Sequence, residues 1–226
     1  MLKSLLGFWS QEHSLTALLV ILIIRLFVLV PTRGGGFFIT VTSDMIFYLI
    51  LLAGLFTMAP NKPMLVLFSA CLIIGIIAHS AWLLLDLPSL AGWDFVFTTL
   101  AVLGMLIVTL RMVYMDGPVT AHRIRGAIAG YLLLGTLFAK TYALINHIVP
   151  GAFNIPATLI QYYGESGEAF YYFSIVTLTT VGFGDVTAVA PLARSFVMAE
   201  ALIGQLYPAI LIARLVSLAV ADKVKT

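Results

Sequence analysis

Long apolar runs alternate with short polar stretches along the chain, and six of these runs are long enough to cross a bilayer. A spanning helix needs about 20 apolar residues, because each residue adds only about 1.5 Å to its length. The pattern predicts six spanning helices, at roughly 14–31, 37–59, 63–86, 92–112, 126–149 and 192–219. Residues 1–13 lack a small-residue cleavage site, so we expect an uncleaved interfacial segment there.

The region between the fifth and sixth predicted helices does not follow this pattern. Residues 150–165 contain two prolines and two glycines and are expected to form an outer loop. The apolar stretch 168–179 is too short to cross a bilayer but suits a helix that enters partway. Irregular backbone at membrane depth is tolerated only where protein buries it or where it lines a watery cavity. We therefore predict a re-entrant loop that returns to the surface at Asp185, with the negative end of its helix dipole near Thr179.

Glycines alternate with other residues directly after this short helix, in the sequence Thr-Val-Gly-Phe-Gly at 180–184, here named the glycine segment. Because glycine accepts left-handed backbone torsions, Gly182 and Gly184 would let consecutive carbonyl groups point the same way. Repeated around an axis, such a row forms stacked rings of oxygen that suit a dehydrated cation. One strand cannot enclose an ion, so we expect four copies to meet on that axis as a homotetramer.

Composition narrows the class of protein. Apolar residues make up 62% of the chain and charged residues 10%, which indicates an all-α integral membrane protein with the lipid bilayer as its main partner. A net charge of +2 does not suggest nucleic acid, and no soluble partner is evident. The single cysteine, Cys71, excludes an intrachain disulfide. We find no nucleophile with its base, no metal-ligand spacing and no phosphate-binding loop, so neither an enzyme nor a bound cofactor is predicted.

The charges of the predicted loops indicate an orientation. One set of loops and ends carries most of the basic residues: Lys3, Lys62, Arg111, Arg123, Arg125, Lys223 and Lys225. The other set holds most of the acidic ones, with a single arginine among them: Arg33, Asp86, Asp94, Glu165 and Glu168. The positive-inside rule then places both termini in the cytoplasm, at a plasma (inner) membrane. The re-entrant loop faces outward in that arrangement.

The nonamer Thr177–Asp185, set between two spans, resembles the signature of pore-loop potassium channels, and residues 126–219 follow the pattern of that family. The resemblance implies a pore helix and a selectivity filter between helices five and six. Thr180 would supply a hydroxyl and a carbonyl to the innermost K+ site, and Val181, Gly182 and Phe183 would supply carbonyls to the others. Phe183 stands where tyrosine is usual in the family. We therefore expect a looser packing around the filter with potassium selectivity retained.

The same resemblance assigns filter support to Tyr172, Phe173, Thr177, Thr179 and Asp185. Phe183 would turn away from the ions and pack against the rings of Tyr172 and Phe173. Asp185 would cap the filter on the outside, where a carboxylate concentrates cations. Many relatives brace this aspartate with a pore-helix glutamate, whereas this chain has Val176 there. Another partner for Asp185 is expected, either Tyr172 or water.

The last predicted helix carries Gly204 where the family often has a hinge glycine, and Pro208 follows one turn later. The two residues could form a gate pivot, or the glycine could allow close helix packing while the proline makes a static kink. Four residues at near-helical spacing could line the cavity below the filter: Gln205, Ala209, Ile212 and Val216. Ile212 or Val216 would then form a hydrophobic constriction.

Ionisable residues inside the predicted helices are candidate functional residues. Lys140 and Glu200 lie at similar depth, so we expect an ion pair that either fixes packing or tunes the filter from behind. Arg25, Asp44 and His79 share a second depth, with Arg25 and Asp44 as the expected pair. His79 is either a satisfied core residue or a pH-sensitive one.

A voltage sensor is not apparent, because the fourth helix has no basic residue before Arg111 at its inner end. The expected organisation is an interfacial segment (1–13), a four-helix membrane domain that resembles a voltage-sensor domain without gating charges (14–112), a cytoplasmic linker (113–125), a pore domain (126–220) and a short cytoplasmic tail (221–226). The predicted function is passive, weakly or not voltage-gated K+ conduction, in a protein whose compact size favours a bacterial source. The alternatives are a pH- or ligand-sensing membrane protein with the pore as output, and a potassium transporter subunit.

Overall fold

A computed structural model of the protein describes residues 14–32, 37–58, 62–85, 90–115, 120–163 and 168–225. Helices form almost all of it, and only two short strands accompany them within these ranges. In chain order the elements are α1 (Ser14–Ile24), a π-helical turn (Arg25–Leu29), α2 (Phe37–Met58), α3 (Lys62–Leu85), α4 (Ala91–Tyr114), α5 (Ala121–Ile148), β1 (Phe153–Asn154), α6 (Ala157–Tyr163), α7 (Ala169–Leu178), β2 (Thr187–Ala188) and α8 (Pro191–Lys225).

The six predicted apolar segments correspond to the six long helical stretches, with small shifts at the ends. Four of them are long and apolar enough to cross a membrane within the described part of the chain: Leu65–Trp82, Ala91–Tyr114, Ala121–Ile148 and Pro191–Leu218. The apolar stretches Leu15–Leu29 and Val41–Leu52 are shorter. The all-helical membrane class is therefore confirmed with four candidate spans, while the count of six remains a prediction.

Helix α8 continues to Lys225, so most of the residues predicted as a short cytoplasmic tail (221–226) are helical. The interfacial segment at 1–13 lies outside the described residues, as do Arg33, Asp86 and Glu165.

Helix α5 is the central element of the fold. It packs against α1 and α4 on one side and against α7 and α8 on the other. Glycines allow these close approaches: a Cβ atom at Gly126 would lie 2.6 Å from Leu15 Cδ1, and one at Gly135 would lie 2.8 Å from Ile175 Cδ1. α5 thus joins the four-helix region α1–α4 to the region α7–α8, which carries the glycine segment.

A small antiparallel pairing closes the loops around the glycine segment. Phe153 of β1 is opposite Ala188 of β2, and the carbonyl of Ala152 accepts hydrogen bonds from the amides of Val189 and Ala190. The chain before α7 and the chain after the glycine segment are therefore fastened to each other at the start of α8.

Candidate functional site

The glycine segment has an alternating backbone conformation. Thr180, Gly182 and Gly184 have positive φ angles of 59°, 57° and 79°. The two glycines behave as the sequence indicates, and Thr180 continues the alternation although its side chain disfavours that region by about 1–2 kcal/mol. Such strain persists only where the surrounding structure imposes it. The backbone therefore alternates as predicted for the two glycines, and Thr180 extends this alternation toward α7.

Local hydrogen bonds hold the inner end of this segment. The amide of Thr180 donates to Thr177 O at 2.9 Å, and the amide of Val181 donates to Val176 O at 3.0 Å. Within the described residues no hydrogen bond occupies the carbonyl oxygens of 180–184. The segment is fixed through its N–H groups while its oxygens remain available as ligands.

The side chains of the glycine segment are exposed in a single chain. Val181 is 55% exposed and Phe183 is 69% exposed. The predicted contact of Phe183 with Tyr172 and Phe173 is not made within the chain, because Phe173 lies on the face of α7 that packs against Tyr142 at 5.3 Å between ring centroids. The aromatic ring of Phe183 is left at the surface of the protomer.

Asp185 has a hydrogen-bond partner on α7, as predicted from the lack of a glutamate at position 176. The hydroxyl of Tyr172 donates to its Oδ2 at 2.7 Å, and the amide of Val186 donates to its Oδ1 at 2.9 Å. The hydroxyl of Thr179 donates a hydrogen bond to Ile175 O at 2.7 Å. The outer end of the segment is thus braced to α7 by one half-buried tyrosine.

The C-terminal end of α7 is held between α5 and α8. Tyr131 donates to Leu178 O at 2.9 Å, and a Cβ atom at Gly204 would lie only 2.0 Å from that same oxygen. This contact supports the close-packing alternative for Gly204. Pro208 lies within the continuous helix α8 and lacks the N–H that would bond to Gly204 O, and the Tyr131 hydroxyl lies 3.5 Å from that carbonyl. Sequence reasoning missed Tyr131, because a tyrosine on an apolar helix carries no signal of its partner.

Glu200 is completely buried, but its partners are not those predicted. Its carboxyl group contacts the hydroxyls of Tyr142 and Ser174, the latter at 2.5 Å from Oε1. Lys140 instead places its Nζ atom 4.9 Å from the centre of the Phe47 ring. The predicted Lys140–Glu200 ion pair is therefore wrong. The two residues lie at the same depth, but the α5 residue that faces Glu200 is Tyr142, whereas Lys140 faces α2.

Arg25 does not pair with Asp44 as predicted. Its buried guanidinium donates to the Tyr171 hydroxyl at 2.8 Å. It also lies over two rings, at 4.5 Å from the centre of Phe47 and 4.6 Å from that of Tyr171. Since Tyr171 is on α7, Arg25 connects the four-helix region to the short helix that precedes the glycine segment.

The carboxylate of Asp44 faces His79 instead. His79 Nε2 lies 3.5 Å from Asp44 Oδ2, and His79 Nδ1 lies 3.3 Å from Asp94 Oδ2. Tyr48 donates to Asp94 Oδ1 at 3.2 Å. The residues predicted to share one depth therefore form two clusters. One surrounds Arg25, and in the other the His79 imidazole lies between two carboxylates on different helices.

The residues proposed to line a cavity share an exposed surface of α8. Gln205, Pro208, Ala209, Ile212 and Val216 are all exposed in the single chain. A cavity of about 530 Å³ lies beside the glycine segment, between Thr180, Gly182 and Gly184 on one side and Val197, Met198 and Ala201 of α8 on the other. The glycine segment and the first turns of α8 border this space, whereas the predicted cavity residues further along α8 do not line it.

Comparison with known proteins supports an ion channel. A protein-family model described as "Ion channel" matches residues 131–221, which span most of α5, the glycine segment and most of α8. No curated protein and no solved structure matches the chain. Together with the apolar helices, the family match indicates a membrane-embedded channel and favours a non-enzymatic protein.

Proposed function

We propose that the chain is one subunit of a potassium-selective channel that conducts K+ passively and is weakly or not voltage-gated. The observation that carries this proposal is the alternation of positive φ angles at Thr180, Gly182 and Gly184, with carbonyl oxygens that no hydrogen bond occupies within the described residues. Rings of backbone carbonyls can replace the hydration shell of a potassium ion.

The groups around the segment suit a cation path. Thr180 contributes its hydroxyl and carbonyl at the inner end, and the carbonyls of Val181, Gly182, Phe183 and Gly184 continue outward. The C-terminal end of α7, near Leu178, directs the negative end of a helix dipole toward the inner side. Asp185 adds a carboxylate at the outer end, where it raises the local concentration of cations.

A homotetramer would complete the site. A single chain leaves Phe183 69% exposed, and α8 has an apolar surface on which Met198 and Ile212 are 67% and 62% exposed. Four copies around the pore axis would bring together the glycine segments and the bordering surfaces of α8. In that assembly Phe183 would pack against a neighbouring subunit rather than its own α7.

The weak voltage dependence follows from the charges of the four-helix region. Helix α4 carries Asp94 in its first turn and Arg111 in its last. Each charge that crosses the field contributes only about 2.3 kcal/mol per 100 mV, so several are needed for steep gating. Arg111, Arg123 and Arg125 support a cytoplasmic position for the α4–α5 connection, and therefore cytoplasmic termini at a plasma membrane.

Two glycines with the same backbone angle allow a sharp test. Gly184 has φ +79° and Gly151 has φ +78°, and no atom lies within 4 Å of a Cβ built on either. Alanine therefore imposes similar strain at both positions, but only Gly184 belongs to the glycine segment. We expect Gly184→Ala to abolish selective K+ current and Gly151→Ala to retain it.

The measurement is single-channel recording of the purified protein in planar bilayers under opposed KCl and NaCl gradients. The reversal potential of the wild-type protein should follow the K+ gradient. A reversal potential indifferent to K+, or selective current that persists in Gly184→Ala, would overturn the proposal.

One observation favours a second candidate, a pH-sensing membrane protein with the pore as its output. His79 lies between Asp44 and Asp94, so its protonation changes the charge of a cluster that joins three helices. Current recorded while the external pH is stepped from acidic to alkaline values tests this candidate. A current that does not respond to these steps would leave the cluster with a structural role alone.

A further inference from the structure

Three helices meet at the carboxyl group of Glu200. Glu200 belongs to α8, Tyr142 to α5 and Ser174 to α7, and the hydroxyls of the latter two contact one carboxyl oxygen each. Among the described residues no cation reaches this group, since Lys140 lies over the ring of Phe47. The other titratable side chain near Glu200 is Tyr131 on α5, whose hydroxyl bonds to a backbone carbonyl.

The hydrogen count at Ser174 determines which oxygen carries a proton. Its Oγ lies 2.7 Å from Gly135 O and 2.5 Å from Glu200 Oε1. A serine hydroxyl has one hydrogen, and the backbone carbonyl can only accept. If that hydrogen bonds to Gly135, the contact with Glu200 requires a proton on Glu200 Oε1. If it bonds to Glu200 instead, two oxygens face each other at 2.7 Å with no hydrogen between them.

We propose that Glu200 is a neutral carboxylic acid that donates its proton to Ser174 and accepts a hydrogen bond from Tyr142, and that it thereby positions α7 and the glycine segment. Every contact is satisfied in this state: Tyr142 donates to Glu200, Glu200 to Ser174, and Ser174 to Gly135. Burial without a cation also disfavours the ionised form of a carboxyl group.

The position of Glu200 connects this proton to the candidate filter. Ser174 lies one turn before Leu178, and Gly204, one turn after Glu200, contacts the carbonyl oxygen of Leu178. Two successive turns of α8 therefore hold the C-terminal half of α7. Loss of the proton would draw the Ser174 hydroxyl away from Gly135 and release a bond between α5 and α7. Resting on the proposed channel function, the inference is that K+ flux falls as the pH becomes alkaline.

The first test compares two variants by K+ flux from vesicles at neutral and alkaline pH. Glu200→Gln keeps a neutral group whose NH2 can donate to Ser174 and whose carbonyl can accept from Tyr142. We expect it to conduct like the wild-type protein and to lose the decline at alkaline pH. Glu200→Ala removes the bonds of the carboxyl group to Tyr142 and Ser174 and leaves only the Ser174–Gly135 bond, so it should reduce flux about tenfold at every pH. A Glu200→Gln variant as impaired as Glu200→Ala would overturn the inference.

The second test does not depend on conduction, so it separates failure of this inference from failure of the channel proposal. Infrared difference spectroscopy of the purified wild-type protein and Glu200→Gln at neutral pH should show a protonated carboxyl C=O band that the variant lacks. Ser174→Ala should shift that band, because it removes the acceptor of the acid proton. A spectrum in which Glu200 contributes only carboxylate bands would show that the residue is ionised and that the inference is wrong.

Discussion

Both halves of the molecule bury carboxyl groups, but they surround them differently. In the half formed by α5, α7 and α8, named the pore half after its proposed role, Glu200 contacts two hydroxyls and no cation among the described residues. In the four-helix half, Asp44 and Asp94 lie on either side of the His79 imidazole. An acid among hydroxyls is stabilised as a neutral donor, whereas carboxylates beside an imidazole are stabilised as charges. The first arrangement suits a fixed contact behind the glycine segment, and the second suits a site that responds to pH.

Arg25 makes one of the contacts between these two halves. Arg25 reaches from the four-helix half to the hydroxyl of Tyr171 on α7, and the next residue, Tyr172, braces Asp185 beside the glycine segment. Adjacent tyrosines on one helix thus point to different halves of the molecule. Variants that disturb one half and spare the other can measure how far the two depend on each other.

The largest expected effect is that of Gly204→Ala in the pore half. Its Cβ atom would lie 2.0 Å from Leu178 O, and the obstructing atom is backbone, which cannot rotate away. We expect a loss of about 3 kcal/mol in unfolding free energy, together with loss of K+ current. Chemical denaturation followed by circular dichroism measures the first, and bilayer recording the second.

The matched control is Gly75→Ala in the four-helix half. There the nearest atom is the Thr98 Cγ2 methyl group, at 3.3 Å, so a small side-chain shift suffices. This variant should remain within about 1 kcal/mol of the wild-type stability and keep its current. Equal losses in both variants would mean that Gly204 has no special role in seating α7.

An intermediate effect is expected from Tyr171→Phe. The change removes the one hydrogen-bond acceptor that the described residues offer the buried Arg25 guanidinium, while the ring beneath it stays. The expected cost is about 1–3 kcal/mol of unfolding free energy, measured by chemical denaturation. It should also weaken any influence of the four-helix half on the current.

Tyr172→Phe is the control for that variant, because it removes a hydroxyl from the neighbouring position. The bond lost here is an exposed one to Asp185, so stability should change by no more than about 1 kcal/mol. Current should nevertheless become less stable when external K+ is low, since the outer end of the glycine segment loses its brace. Identical behaviour of the two variants would show that the adjacent tyrosines do not have separate roles, one at Arg25 and the other at Asp185.

The smallest effect on current at constant pH is expected from His79→Gln. Glutamine can still donate to one carboxylate but not to both, and it cannot become charged, so a loss of about 1–3 kcal/mol in unfolding free energy is expected. Current measured against external pH should lose the step that titration of His79 produces, while the alkaline decline assigned to Glu200 remains. Disappearance of both features in this one variant would show that the two carboxyl clusters titrate together.

Much of the fold was predictable, because it follows from local properties of the chain. The lengths of the apolar runs indicated the six long helices, and the ten-residue length of α7 indicated a helix too short to span. The conformations of Gly182 and Gly184 were likewise predictable, since freedom to adopt positive φ belongs to the residue itself. In the same way, the missing glutamate at Val176 pointed to Tyr172 as a partner of Asp185.

Partners of the buried groups were not predictable in this way. Lys140 and Glu200 lie at the same depth, yet depth says nothing about the direction in which each helix turns its side chains. The same is true of Arg25, whose hydrogen-bonding partner Tyr171 is 146 residues away in the chain. The sequence is equally compatible with Gly204 as a hinge and as a close-packing residue, and only the tertiary structure places the Leu178 carbonyl against it.

The sequence by itself thus determined the helices, the short helix α7 before the glycine segment and the torsions of Gly182 and Gly184, because apolar length and glycine torsions are properties of short stretches. The tertiary structure alone decided which acid meets an imidazole, which meets hydroxyls, and which tyrosine supports which half. These choices depend on the rotation and spacing of packed helices, and those are set jointly by residues far apart in the chain.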